Sequence, residues 1–189
     1  MFLDIGIGIL SSIGVSAAFG IPLSFGTVTA GILLSLGPDL DYLYHIFRRG
    51  HGENDFEHRN LLHLPLLYLP IGTAVAFLLA GPMPAVLFLV TSLAHFVHDS
   101  IGIGWGVRWL YPFSKDNIAF LYLYSQRIRQ GLRQPVFVFD AESLARTVRE
   151  HGDADWKRNI YGKLHPIAIV EYSVFVLSLV ILLFATYVR

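Results

Sequence analysis

Residues 92–106 read SLAHFVHDSIGIGWG: an apolar run ends in His95, His98 and Asp99 and then turns through Gly102, Gly104 and Gly106. On a helix, His95 and Asp99 are four apart and share one face, the spacing of paired metal ligands. Working outward, residues 5–38, 64–94 and 172–188 contain no Asp, Glu, Lys, Arg or His. A helix that crosses the hydrocarbon core needs roughly 20 apolar residues. The first window is broken at Gly20-Ile21-Pro22 and the second at Gly81-Pro82, which predicts hydrophobic helices near 4–20, 24–37, 61–80, 83–100 and 166–188. The expected fold is all-α, a polytopic membrane bundle of about five hydrophobic helices with a cytoplasmic helical insertion. One domain is expected overall: residues 1–103 with four helices and the polar motifs, a basic insertion over 104–165, and a last membrane helix over 166–189.

Composition agrees with a membrane setting, because 54% apolar against 15% charged residues is unlike a soluble chain of 189 residues. A formal net charge of zero argues against nucleic acid as a partner. The absence of cysteine excludes disulfides, thiolate metal sites and cysteine nucleophiles. Asp4, with no Lys or Arg ahead of the first apolar stretch, argues against a cleaved signal. Ser12, Ser16 and Gly20 recur every four residues, the small-residue spacing of closely packed membrane helices. GIGILSSIG lacks the preceding strand and the spacing of a dinucleotide loop.

Five spans would place residues 38–60 and 101–165 on one side, and every Lys and Arg except Arg189 falls there. The positive-inside rule makes that side cytoplasmic, giving a multi-pass protein of the inner membrane. Asp4, Asp39, Asp41, His58, His63, His95, Asp99 and Glu171 would all gather at that level. In GPDLDYL, Pro38 blocks continuation of the preceding helix, and Asp39 and Asp41 point from the bend as ligands or helix caps. His63 stands inside LLHLPLLYL, where a histidine must be hydrogen-bonded or coordinated, while His58 belongs to the approach. Arg59 is a cationic fork suited to phosphate. Glu171 is an intramembrane carboxylate, a functional residue by default or the partner of an arginine. His98 stays open as ligand, neighbour of a ligand, or surface residue.

The order LGPDLDYL, HRNLLH, AHFVHDSIGIGWGVRWLYPFS resembles the YdjM-like inner-membrane-associated, metal-dependent hydrolases of bacteria and archaea, over residues 1 to about 115. The resemblance implies metal-binding roles for Asp39, Asp41, His58, His63, His95 and Asp99. The chain departs from it at Leu62, where a Thr is usual, and at Asp4, where a His is common. The HxxxD pair also has a more distant likeness to zinc-dependent phospholipase C and P1 nuclease.

These features lead to an expected metal-dependent hydrolase, a phosphoesterase acting on a lipid or other membrane-associated phosphate ester. Zinc is the expected ion, with manganese, iron or magnesium as alternatives. Arg59 and Asp99 would act on the substrate. A metal or proton transporter using the same cluster, or a non-catalytic metal-stabilised protein, are the rival readings. In the insertion, Ser114 is expected to cap a helix from Lys115 to about Gln130 closed by Gly131, and Asp140 a second ending at Gly152. Arg127, Arg129 and Arg133 beside FLYLY would lie against anionic headgroups, with Trp105 and Trp109 as interfacial anchors.

Overall fold

The computed structural model describes residues 1–41, 62–128 and 131–187. The elements run α1 (Phe2–Ala18), α2 (Phe25–Ser35), a 3-10 turn (Gly37–Asp39), α3 (Pro65–Ala80), α4 (Pro82–Asp99), β1 (Asn117–Leu123), β2 (Leu132–Phe139), α5 (Ala141–His151), a π-turn (Arg158–Gly162) and α6 (Pro166–Tyr187). Proline opens α3, α4 and α6, at the position where its missing N–H costs nothing. Gly20 at φ 64° and Gly81 at φ 89° mark the breaks after α1 and α3, in the left-handed region that glycine tolerates. Two compact units interleave along the chain: residues 1–38, 69–95 and 166–189, and residues 39–68 and 96–165.

In the first unit α1 packs against both α2 and α6. Small residues permit the approach. A Cβ on Gly31 would run into Ser12 Oγ and the Gly8 carbonyl, and one on Gly8 would stand 2.7 Å from the Gly31 carbonyl oxygen. Ser12 Oγ donates to Gly8 O at 2.8 Å and to Thr27 O at 3.0 Å. Gly6 lies against the Phe175 backbone, and the Phe2 ring meets Tyr172 and Phe175 edge-on. The close contacts therefore run through Gly6, Gly8 and Ser12, while Gly20 falls beyond the end of α1.

This unit buries polar groups and exposes apolar ones. Asp4, Ser12, Ser16, Ser35, Thr91, Ser92, His95, Glu171 and Ser178 are buried, whereas Leu78, Leu79 and Phe184 are 81%, 82% and 65% exposed. Such a surface is unsuited to water and suited to lipid.

The expected five-span all-α bundle is not what forms. Among the described residues only α6, with 22 residues and 17% of its most apolar window buried, is long and apolar enough to cross a membrane. The breaks read from the sequence divide the first two windows into pieces that are too short. The 17 residues of α1, 11 of α2 and 16 of α3 would span about 25, 16 and 24 Å at 1.5 Å per residue, against a core of about 30 Å. α4 has 18 residues but ends in His95, His98 and Asp99.

The second correction is the insertion, which contains an antiparallel hairpin, so the fold is mixed. β1 pairs with β2 in the register Asn117↔Phe139, Ile118↔Val138, Ala119↔Phe137 and Phe120↔Val136, and resumes at Tyr122↔Arg133 and Leu123↔Leu132 after a bulge. Leu121, at φ 61°, lies at that bulge. The helix expected over Lys115–Gln130 loses to this pairing because the stretch alternates: Ala119 and Leu123 turn into a small core with Phe137. Ser114 Oγ accepts from the Asp116 N–H at 3.0 Å and so shapes a turn into β1 instead of capping a helix. Asp140 does cap α5, accepting from Ser143 N–H at 2.7 Å, and Gly152 follows the last turn.

The glycine-rich stretch after α4 is stitched along β1. Phe120 N–H donates to Ser100 O, Gly102 N–H to Tyr122 O, and Tyr124 N–H to Gly102 O, each at 2.7 Å. Gly106, at φ 78°, lets the chain pass so close to Ile118 that any Cβ would strike its carbonyl. Trp105 packs on the hairpin core, so its role is internal to this unit.

Candidate metal centre

The second unit gathers Asp39, Asp41, His63 and Asp99. Pro38 turns the chain after α2, and the following residues bring both aspartates toward His63, which precedes the first turn of α3. His63 Nδ1 is 2.9 Å from Asp41 Oδ2, an oxygen that also accepts from Leu62 N–H at 3.2 Å. Its Nε2 faces Asp99 Oδ2 at 3.1 Å and Asp39 Oδ1 at 3.7 Å. His63 is fully buried and Asp41 nearly so. Phe96, also fully buried, stands edge-on to His63 with ring centroids 6.0 Å apart.

One ligand atom from each of Asp39, His63 and Asp99 lies within 4.8 Å of the others. A carboxylate only accepts, so a neutral His63 imidazole carries its proton on Nδ1 toward Asp41 and turns its Nε2 lone pair toward Asp39 and Asp99. Two carboxylates at such a separation repel by on the order of 3 kcal/mol at an effective dielectric near 20, less where Asp39 is open to solvent. A cation resolves this arrangement: it accepts the lone pair and offsets both charges. Nitrogen and oxygen donors of this kind fit zinc, manganese or iron.

His95 is one turn before Asp99 on the same face of α4. Its Nδ1 lies 3.1 Å from Asp4 Oδ1 within the first unit, and both residues are about 1% exposed. Glu171 is buried on α6, as are Ala168 and Ser178. His98 is half-buried at the end of α4. His58 and Arg59 lie outside the described residues.

One support has no sequence signature. Trp109 Nε1–H donates to Ser100 Oγ at 2.8 Å, and Ser100 Oγ–H to Phe96 O at 2.8 Å, while the Trp109 ring meets Phe96 and Phe120. This ties the last turn of α4, and with it Asp99, to the hairpin. Trp109, expected as an interfacial anchor, is instead part of that brace.

Below the hairpin, Tyr124 Oη–H donates to Asp153 Oδ2 at 2.7 Å, and Asn159 Nδ2–H to the same oxygen at 2.8 Å. Burial, the hydrogen bond to Asp153 and the Asp153 charge push the Tyr124 hydroxyl up to about 12. Burial alone would raise Asp153, yet hydrogen bonds from Asn159, Tyr124 and the Asp155 N–H outweigh it and hold the carboxyl below its ordinary range. Burial lowers His165 below 6.5.

Fold and site together define a membrane-associated protein of mixed secondary structure carrying a buried histidine–carboxylate cluster. The chain belongs to the YdjM inner membrane protein family, whose model matches residues 4–187. No curated protein and no solved structure matches the chain.

Proposed function

We propose that this chain is a membrane-anchored, metal-dependent hydrolase acting on a phosphate ester of a lipid or another membrane-associated molecule. The observation that carries the reading is His63 Nε2 set against Asp39 and Asp99 while Asp41 takes up Nδ1, an arrangement that a cation would complete. Asp39, His63 and Asp99 would hold it, and His95 is kept as a candidate ligand on its four-residue spacing to Asp99 alone. Zinc suits the mixed imidazole and carboxylate donors best, with manganese, iron or magnesium as alternatives. A bound divalent ion supplies Lewis acidity and lowers the pKa of water toward neutrality. His63, fixed by Asp41 and walled by Phe96, keeps the donors in place without reorganisation. Arg59, read from the sequence alone, would orient the phosphate through its guanidinium fork.

Orientation follows from the residues ahead of α6. Lys157, Arg158 and Lys163 are exposed within the nine residues that precede Pro166, and the positive-inside rule sets that end of the helix in the cytoplasm. Asp39, His63 and Asp99 share their compact unit with those residues, so the donors are read as facing the cytoplasm.

The test is metal analysis of purified full-length protein, followed by a screen of phosphate esters that includes phospholipids. Wild-type protein is expected to carry about one equivalent of a divalent ion or more and to turn over at least one ester. Asp99→Ala and His95→Ala, checked for retained fold, should lose both. Variants that fold and keep both metal and turnover would sink the reading, as would ion flux into proteoliposomes with no ester turnover.

A further inference from the structure

Asp41 carries the candidate ligand set further, because it meets His63 at the ring nitrogen opposite the one that faces Asp39 and Asp99. Asp41 Oδ2 is 2.9 Å from His63 Nδ1, while Nε2 faces Asp99 Oδ2 at 3.1 Å and Asp39 Oδ1 at 3.7 Å. The His63 and Asp41 side chains are at most 2% exposed. With Nδ1 taken up by Asp41, Nε2 is the ring atom turned to the other two carboxylates. Asp41 is further fixed by the Leu62 N–H, which donates to the very oxygen that meets His63.

We infer that Asp41 is a positioning carboxylate and not a metal ligand: it holds the His63 imidazole in the Nδ1–H tautomer and aims Nε2 at the ion. The inference rests on the metal reading above. It reassigns one residue that the sequence places among the ligands and leaves Asp39, His63 and Asp99 as the donors. A carboxylate on the far nitrogen also raises the basicity of a ligating imidazole, and removal of such a partner costs about 10–100-fold in metal affinity.

The experiment uses full-length protein in detergent, titrated with cobalt(II) as a visible probe, and compares wild type, Asp41→Asn and Asp39→Asn. Asp41→Asn should bind cobalt about 10–100-fold more weakly, yet at saturation give the wild-type visible spectrum, because the donor atoms are unchanged. Asp39→Asn should change the spectrum itself. A second arm needs no metal and no variant of Asp41. In apo wild type labelled with 15N-histidine, His63, assigned with His63→Gln, should show a protonated Nδ1 and an unprotonated Nε2.

A saturated spectrum altered in Asp41→Asn as in Asp39→Asn would make Asp41 a ligand and overturn the inference. So would unchanged cobalt affinity in Asp41→Asn, or a proton on Nε2 in the apo protein. Wild type that binds no divalent ion would instead remove the metal reading, and the positioning role with it, even with the tautomer as expected.

Discussion

Asp153 shows how much one carboxylate can organise. It accepts from Tyr124, Asn159 and the Asp155 N–H, which joins the hairpin to the turn that precedes α6. Its folded-state pKa lies below the ordinary 3.8. A depressed carboxyl contributes stability that is present above the unfolded value and is lost as pH falls through the folded one. His165, lowered from 6.5 by burial, acts in the same direction at higher pH, since protonation below about 6.5 favours the unfolded chain. Thermal stability of wild type should therefore decline in two steps on acidification, one beginning near pH 6.5 and one below about pH 4. His165→Gln should flatten the first and Asp153→Asn the second. Tyr124→Phe should cost about 1 kcal/mol at neutral pH, the ordinary worth of a partly exposed hydrogen bond to a charged group. Melting curves of the three variants across pH 8 to 3 check this, and a wild-type profile without either step would refute the assignment.

At the scale of elements, the α1–α2 crossing is set by what is missing from Gly8 and Gly31. Gly31→Ala places a methyl group against Ser12 Oγ and the Gly8 carbonyl, and the resulting overpacking should destabilise by about 1–3 kcal/mol. Gly14, on the same helix as Gly8, has nothing within 4 Å of an added Cβ. Gly14→Ala should be neutral or gain up to about 1 kcal/mol from helix propensity. Denaturant midpoints of the two variants should thus move in opposite directions, and equal shifts would mean the crossing is not glycine-limited. The helices themselves were legible in the chain, because charge-free windows fix where they lie and Gly20, Pro22, Gly81 and Pro82 fix where they stop. Whether each can span a bilayer depends on its length after the breaks, and among the described residues only α6 is long and apolar enough. The hairpin was hidden by end signals that mimic a helix, Ser114 before it and Gly131 after. The alternation of Ala119 and Leu123 against Phe120 and Tyr122 was the competing signal. The candidate site was legible as residue types, since histidines and aspartates at the ends of apolar runs are costly and demand partners. Its internal order was not, because Asp41 and His63 are twenty-two positions apart and no periodicity relates them. Nor does any spacing rule connect Trp109 with Ser100.

At the scale of the whole molecule, the decisive property is which residues face outward. The first unit turns leucine, valine and phenylalanine side chains out and keeps serines, a threonine and ionisable groups in, the reverse of a water-soluble core. Its longest apolar helix, α6, has 22 residues and so extends about 33 Å, enough to cross a core of about 30 Å. Lys157, Arg158 and Lys163 precede that helix, with Trp156 and Tyr161 beside them in the chain, their rings 6.1 Å apart. Aromatic and cationic side chains in this order are those that settle at the headgroup level on the cytoplasmic side. The sequence contains no cysteine, so single-cysteine labelling needs no background removal. Lys157→Cys, in exposed chain ahead of α6, should react with a membrane-impermeant maleimide in inside-out vesicles and be protected in right-side-out ones. Tyr187→Cys, at the other end of α6 and 83% exposed, should show the opposite pattern. Both sites reacting from one face would mean that α6 does not span. An inverted pattern would keep the span and turn the unit that holds Asp39, His63 and Asp99 away from the cytoplasm, which would change the pool of substrates open to it.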